Sequence, residues 1–213
     1  VGKMIYLDET QTKQLISPEL AYEAVKDAFV AVLGDETTLF PVVKATSIQA
    51  GFNFSLKSAC SKNLVGWKTG TYWPSNIARD KPCHGTTIFL LSPETGELVA
   101  TVAASEVNAY RTAAADAVAV DYLARRDSIV LTVYGTGHQA RYEVVAILAV
   151  RDISRVLVVG RNEINTEKFI GWLNQNDISA EVTSAQYGCE HADIIVRSEE
   201  HTSELQSRET ISY

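Results

Sequence analysis

The stretch "VYGTGHQARYEVV", Val133–Val145, decides the fold. It follows the apolar run "SIVLTV" and leads into residues with helical apolar spacing, so it reads as strand, tight turn and helix. Gly135 permits the turn leaving the strand, Gly137 lets the backbone approach an anion, and Ala140 lets the helix pack closely on the sheet. A helix starting here offers unpaired N–H groups and a partial positive charge, which suit a pyrophosphate. Taken alone, the G-x-G-x-x-A spacing also fits a flavodoxin-like turn that binds nothing. The strand before it, the helix after it and the further strand "RVLVVG" favour a dinucleotide.

Downstream, the helix "NTEKFIGWLNQN" and the strands "SAEV" and "DIIV" continue the βαβ texture, giving the first four strands of a doubly wound parallel sheet, a truncated Rossmann domain. Where an NAD-binding version carries an acid for the ribose 2′-hydroxyl, this chain has Gly160, followed by Arg161 and Asn162. A glycine does not repel a 2′-phosphate, and Arg161 can pair with one, so NADP(H) is favoured and NAD(H) remains possible. Arg161 also reads as a solvated arginine at a strand end.

Upstream the texture differs. "SPELAYEAVKDAFVAVLGD" has Ser17 as N-cap, Pro18 at the first helical position and apolar residues at helical spacing up to Gly34. Between Phe40 and Val102, "FPVVKATSI", "FNFSLKSAC", "LVGWKTG", "TTIFLLS" and "ELVATVA" predict an antiparallel or mixed sheet, with "SPETGE" as a hairpin turn. "SEVNAYRTAAADAVAVDYLAR" predicts an Ala-rich helix with Ser105 as its cap. The fold class expected is α/β, with an N-terminal α+β substrate and dimerisation domain over residues 1–125 and the Rossmann part over 126–196.

With 213 residues and 46% hydrophobic content, the chain can bury one substantial core and begin a second. The longest apolar runs are too short to span a bilayer and no signal peptide opens the chain, so a soluble, cytoplasmic protein is expected, with no membrane partner. A net charge of −7 argues against a duplex-binding surface, and no nucleic-acid partner is expected. Cys60, Cys83 and Cys189 are scattered singly, which predicts ordinary thiols and no metal site.

The segments "GWKTGTYWPSN", "CHGTTIFLLSPETGEL" and "NAYRTAAADAVAVDYLA", in that order and followed by "GTGHQA", resemble the ornithine cyclodeaminase/mu-crystallin family. The likeness covers nearly all of residues 1–196, and it looks closest to the pyrroline-2-carboxylate reductase-like members. It implies hydride transfer at the carbon of a small amino or imino acid that carries both nitrogen and carboxylate. It further implies that Lys68 and Arg111 approach the substrate carboxylate as catalytic and binding residues, with Arg111 and Thr112 also near the cofactor. Cofactor contacts are implied from His84 and from the loop of Gly135, Thr136, Gly137, His138 and Gln139. A homodimer of the full-length protein is implied as well.

The residue chemistry points the same way: an ammonium and a planar guanidinium clamp a carboxylate well, although either side chain alone also reads as surface charge. Without the family, His84 reads as a polar residue capping a strand. His191 lies in a polar turn and carries no role. Where many members place an arginine after the "FPVV"-like strand, this chain has Lys44, which keeps the charge for substrate binding without the bidentate fork.

Residues 197–213, "RSEEHTSELQSRETISY", break all apolar periodicity and match the translation of a common sequencing adapter, so a non-native, disordered tail is expected, with the natural sequence ending near Val196. The family's catalytic aspartate is expected beyond that point, leaving this fragment inactive. The function expected of the parent is NADPH-dependent reduction of small cyclic imino acids such as pyrroline-2-carboxylate. The alternatives are an NAD-dependent ornithine cyclodeaminase that releases ammonia and forms proline, and a non-catalytic, crystallin-like NADPH-binding protein.

Overall fold

The computed structural model describes residues 4–46 and 51–198. The end of the "FPVVKATSI" run, from Ser47, and most of the C-terminal tail, residues 199–213, lie outside the described residues. The chain divides into two compact units between Arg111 and Thr112.

The first unit contains β1 (Ile5–Leu7), α1 (Glu9–Leu15), α2 (Pro18–Ala31), β2 (Thr37–Leu39), β3 (Val43–Thr46), β4 (Asn53–Ser61), β5 (Val65–Tyr72), a 3-10 turn (Pro74–Arg79), β6 (His84–Leu91), β7 (Leu98–Ala103) and the start of α3 (Ser105–Leu123). Its sheet runs β1-β7-β6-β5-β4-β2, with β3 also on β4. The hairpins pair antiparallel and β1 joins β7 in parallel, so the sheet is mixed. As expected, Ser17 caps α2, its hydroxyl accepting from the Leu20 N–H, and Pro18 opens the helix. The "SPETGE" turn closes on Gly96, whose φ of 73° is one a glycine adopts without strain.

One expected cap is corrected. Ser105 lies inside the first turn of α3, and the helix is capped from a distance by Glu9, whose carboxylate accepts from the N–H groups of Ser105 at 3.2 Å and Glu106 at 2.6 Å. An anion at a helix N-terminus satisfies orphan donors and complements the helix dipole, so a carboxylate outcompetes a hydroxyl there. The short β1–α1 pair that carries Glu9 has too few periodic residues to stand out in the sequence.

The second unit contains the rest of α3, β8 (Val130–Tyr134), α4 (His138–Leu148), β9 (Arg155–Val159), α5 (Glu163–Gln175), β10 (Ala180–Val182), α6 (Ala185–Glu190) and β11 (Ile194–Arg197). The strands are parallel in the order β10-β9-β8-β11, which is the 3-2-1-4 half of a doubly wound sheet. Leu131, Val133, Val156, Val158, Val144, Ile147, Phe169 and Leu173 are all buried to 1% exposure or less. Parallel strands covered on both faces read as unbroken apolar runs, which is why "LTV" and "VLVV" show no alternation. Each such side chain contributes about 1.5–3 kcal/mol of burial free energy, so the main core sits in this unit.

The division falls within α3 and not at residue 125, because the C-terminal half of that helix packs into the second core through Val120 and Ala124. Buried Arg151 ties the helix end down by donating to the carbonyls of Val120, Asp121 and Ala124. β11 extends one residue beyond Val196, pairing Arg197 with Tyr134. Among the described residues, no helix is long and apolar enough to cross a membrane.

Candidate functional site

In the first unit, directly opposed residues of antiparallel strands face the same side of the sheet. Lys57 on β4 is opposite Lys68 on β5, which is opposite Ile88 on β6. The start of α3 brings Val107, Asn108 and Arg111 to the same cavity, whose volume is about 210 Å³. Lys68 Nζ donates to Asn108 Oδ1 at 2.8 Å. The Arg111 guanidinium donates to the same oxygen, from Nε at 3.2 Å and Nη2 at 2.9 Å. Two cations predicted to act together are therefore held by one neutral acceptor.

The electrostatics follow from that crowding. Burial, then the Arg111 charge, then the Lys57 charge bring the Lys68 pKa down to about 8. Desolvation also lowers Arg111 from its ordinary value, and an arginine stays charged regardless. Among the described residues, three cationic side chains and no acidic one line the cavity. Such a pocket suits an anion.

The other predicted residues of this unit lie elsewhere. Lys44 is exposed on β3, opposite Ser55, and does not line the cavity, although its row of the sheet shares the face of Lys57 and Lys68. His84 begins β6 opposite Tyr72, with the two rings 4.7 Å apart between centroids. Sequence reasoning missed Lys57 and Asn108. Asn108 was findable, since it precedes Arg111 by one helical turn. Lys57 was not, because only the strand register sets it opposite Lys68.

In the second unit the glycine turn has the predicted geometry. Gly135 leaves β8 with a φ of 106°, and Ala140 is fully buried under α4. Nothing lies within 4 Å of where a Cβ on Gly137 would project, so the backbone there is open to close approach. Gly137 is the N-cap of α4 and contributes no capping side chain, and a helix N-terminus of this kind suits an anionic ligand. Thr136 follows Gly135 in the turn, while His138 and Gln139 begin α4, and the His138 ring packs on Tyr142. Thr112 lies on α3 at the start of this unit. These features fit a dinucleotide pyrophosphate.

At the end of β9, Arg161 is exposed, and Asn162 uses its side-chain oxygen to cap α5 through the Asn165 N–H at 2.9 Å. Gly160 has a packing reason of its own, since an added Cβ would lie 2.0 Å from Thr166 Oγ1 and 3.0 Å from Thr136 Cγ2. No acid could occupy that position without displacing buried Thr166. Packing therefore accounts by itself for the absence of a carboxylate at that position.

Glu143 is a further residue that sequence reasoning missed. It falls on the stripe of Ala140, Val144 and Ile147 and is 4% exposed. Burial pushes its carboxyl up to about 7, Ser198 pulls it down, the nearby Asp116 charge adds to the rise, and Gln139 lowers it again. An acid on an apolar helical stripe was a legible signal.

The four-stranded parallel unit with its glycine turn, following a mixed sheet with a cation-lined cavity, defines an α/β protein of the Rossmann dinucleotide-binding class. Residues 5–207 match the ornithine cyclodeaminase/mu-crystallin family, and the chain belongs to it. It is 33% identical over 156 residues to the iminosuccinate reductase of Paracoccus denitrificans, covering 72% of this chain and 49% of that protein. The solved structure of that reductase in complex with NAD+ superposes with a TM-score of 0.88 at 28% identity, over 94% of this chain and 63% of the other. The Delta(1)-pyrroline-2-carboxylate reductase of Colwellia psychrerythraea is 36% identical over 147 residues, 64% of this chain and 46% of that one. The structure of Thermococcus litoralis Delta(1)-pyrroline-2-carboxylate reductase with NADH and L-proline has a TM-score of 0.84 at 27% identity, over 91% of this chain and 61% of that chain. The chain spans about half the length of these curated relatives.

Proposed function

We propose that the parent protein is an NADPH-dependent reductase of small α-imino acids, the cyclic pyrroline-2-carboxylate type among them. The observation that carries this reading is the pairing of Lys68 and Arg111 on Asn108 inside one small cavity that is lined, among the described residues, by no acidic side chain. A carboxylate entering there meets an ammonium and a guanidinium already held in place, so little ordering remains to be done on binding. The glycine turn of the second unit would hold the dinucleotide, whose chemistry would be hydride donation to an imine carbon. Lys68 and Arg111 orient the carboxylate on that carbon, with His84, Thr112, Thr136, His138 and Gln139 assigned to the cofactor and Lys44 to substrate choice.

Arg161 beyond β9 supports NADP(H). NAD(H) is the second reading, favoured by the relatives whose structures carry NAD+ or NADH. Exposed apolar side chains at and just after the end of α2, Phe29, Val30 and Leu33, support a homodimer of the full-length protein.

The deciding experiment follows NADPH absorbance with a full-length chain carrying these residues. Steady oxidation with pyrroline-2-carboxylate, or with acyclic imines formed from 2-oxo acids in ammonia, is the expected result. Release of ammonia from ornithine without net use of NADPH would make it a cyclodeaminase instead, and tight NADPH binding without turnover on any imine would make it a binding protein.

A further inference from the structure

The side-chain oxygen of Asn108 accepts from both Lys68 and Arg111, so the place of that one atom fixes the place of two cations. Asn108 lies in the first turn of α3, where its N–H donates to the Ala104 carbonyl at 2.9 Å. The leading N–H groups of a helix have no acceptor within it, which makes the first turn the part least held by its own bonds. Here the neighbouring elements hold it. The Ala104 N–H donates to the Thr86 carbonyl of β6 at 2.8 Å. From α1, the Glu9 carboxylate accepts from the N–H groups of Ser105 and Glu106, one on each oxygen. Buried Thr12, three residues further along α1, has its hydroxyl 2.8 Å from the Ala103 carbonyl oxygen. The helix that carries these two side chains is fixed in turn by its Asp8–Gln11 capping box and by the pairing of β1 with β7.

We propose that Glu9 is a positioning residue for substrate binding, acting through the first turn of α3 to hold Asn108, and with it the Lys68–Arg111 pair, in the geometry that receives a carboxylate. This role rests on the imine-reductase reading, in which the cavity grips a carboxylate, and it adds a residue that does not itself line the cavity. A carboxylate suits the task better than a neutral cap, since its two oxygens take two donors at once and its charge complements the positive end of the helix. Without it the turn frays from Ser105 and the Asn108 oxygen is no longer fixed. Two like charges gathered on that single acceptor then move apart, and an entering anion has to reorder them, which weakens its binding.

Calorimetry on the 213-residue chain tests this with 2-oxobutyrate, a monocarboxylate in which a ketone replaces the imine. Glu9→Ala is expected to weaken binding about fivefold to tenfold, the size of a typical lost cap passed on to the site. Glu9→Gln keeps the shape and one acceptor without the charge, so it preserves folding even if Glu9→Ala does not, and it is expected to weaken binding about threefold. Ser17→Ala is the control for stability alone. It removes the cap of α2, a comparable loss on a different helix, and is expected to leave 2-oxobutyrate within about twofold of the parent chain. Lysine side-chain NMR supplies a second readout: Lys68, which titrates at about 8 in the parent chain, is expected to titrate higher in Glu9→Ala as water enters the loosened cavity, and to stay in place in Ser17→Ala. Parent-like affinity in the folded Glu9 variants, or equal losses in Glu9→Ala and Ser17→Ala, overturns the role of Glu9 while leaving the imine-reductase reading intact, provided that 2-oxobutyrate binding is lost in Lys68→Met. Failure of the parent chain to bind 2-oxobutyrate, or binding indifferent to Lys68→Met, overturns the carboxylate clamp and this role with it.

Discussion

The side-chain oxygen of Asn108 lies 2.8 Å from Lys68 Nζ and accepts its hydrogen bond without neutralising its charge. With burial the larger cause and the charges of Arg111 and Lys57 adding to it, the Lys68 pKa falls from 10.5 to about 8. A base depressed in the folded state is harder to charge there. The cost to stability is fully present below about pH 8 and disappears as pH rises towards the unfolded value of 10.5. Carboxylate affinity is therefore expected to fall as pH rises through about 8, where the unliganded lysine loses its proton. Asn108→Asp fills the cavity with a built-in anion, so Lys68 titrates nearer its ordinary value and 2-oxobutyrate affinity falls by about tenfold or more. Lysine side-chain NMR titration and calorimetry read the two effects. An ordinary Lys68 pKa in the parent chain would contradict the proposed crowding.

Gly160 and Thr166 are packed so closely that even a methyl group does not fit between them. Gly160→Ala is expected to destabilise by about 1–3 kcal/mol, the usual cost of overpacking. Thr166→Ala removes the nearer obstruction and is expected to restore part of that loss, while Thr136 remains in the way. Thermal melting of the single and double variants measures this. Gly160→Asp, the change that would imitate an NAD-type acid, is expected to cost fold stability before it alters cofactor choice.

Arg161→Ala in a full-length chain is expected to weaken NADPH by about tenfold to a hundredfold, the range of a charge-assisted phosphate contact, with NADH little changed. Fluorescence titration with each nucleotide checks it. Equal losses for both would remove Arg161 from 2′-phosphate recognition.

Glu143 makes a prediction about stability. Its carboxyl is raised from 4.5 to about 7, chiefly by burial, with Asp116 adding and Ser198 and Gln139 opposing. An acid raised in the folded state costs nothing where both states are protonated. The cost grows as pH rises from about 4.5 to about 7 and is constant above that. Glu143→Gln is expected to remove it, raising stability above pH 7 by roughly 1–3 kcal/mol and leaving stability at pH 4 nearly unchanged. Denaturant unfolding at both pH values would show the difference. A variant equally or less stable at the higher pH would mean that the carboxylate is ionised and satisfied in the folded protein.

The local parts of this protein were legible because local chemistry decides them. Two glycines and an alanine in "GTGHQA", placed between an apolar strand and a helix, specify the turn, and Ser17 with Pro18 specifies the start of α2. Continuous apolar runs announced the buried parallel strands. What pairs across the sheet was not written locally: Lys57 meets Lys68 only through the β4–β5 register, and Glu9 caps α3 only because β1 and α1 bring it beside residues nearly a hundred positions later. Thr166 packs against Gly160, a steric reason for the glycine that no local pattern announces. Backbone preference and periodicity act over a few residues. Charge crowding, distant capping and steric exclusion depend on through-space distances, and the tertiary structure alone decides those.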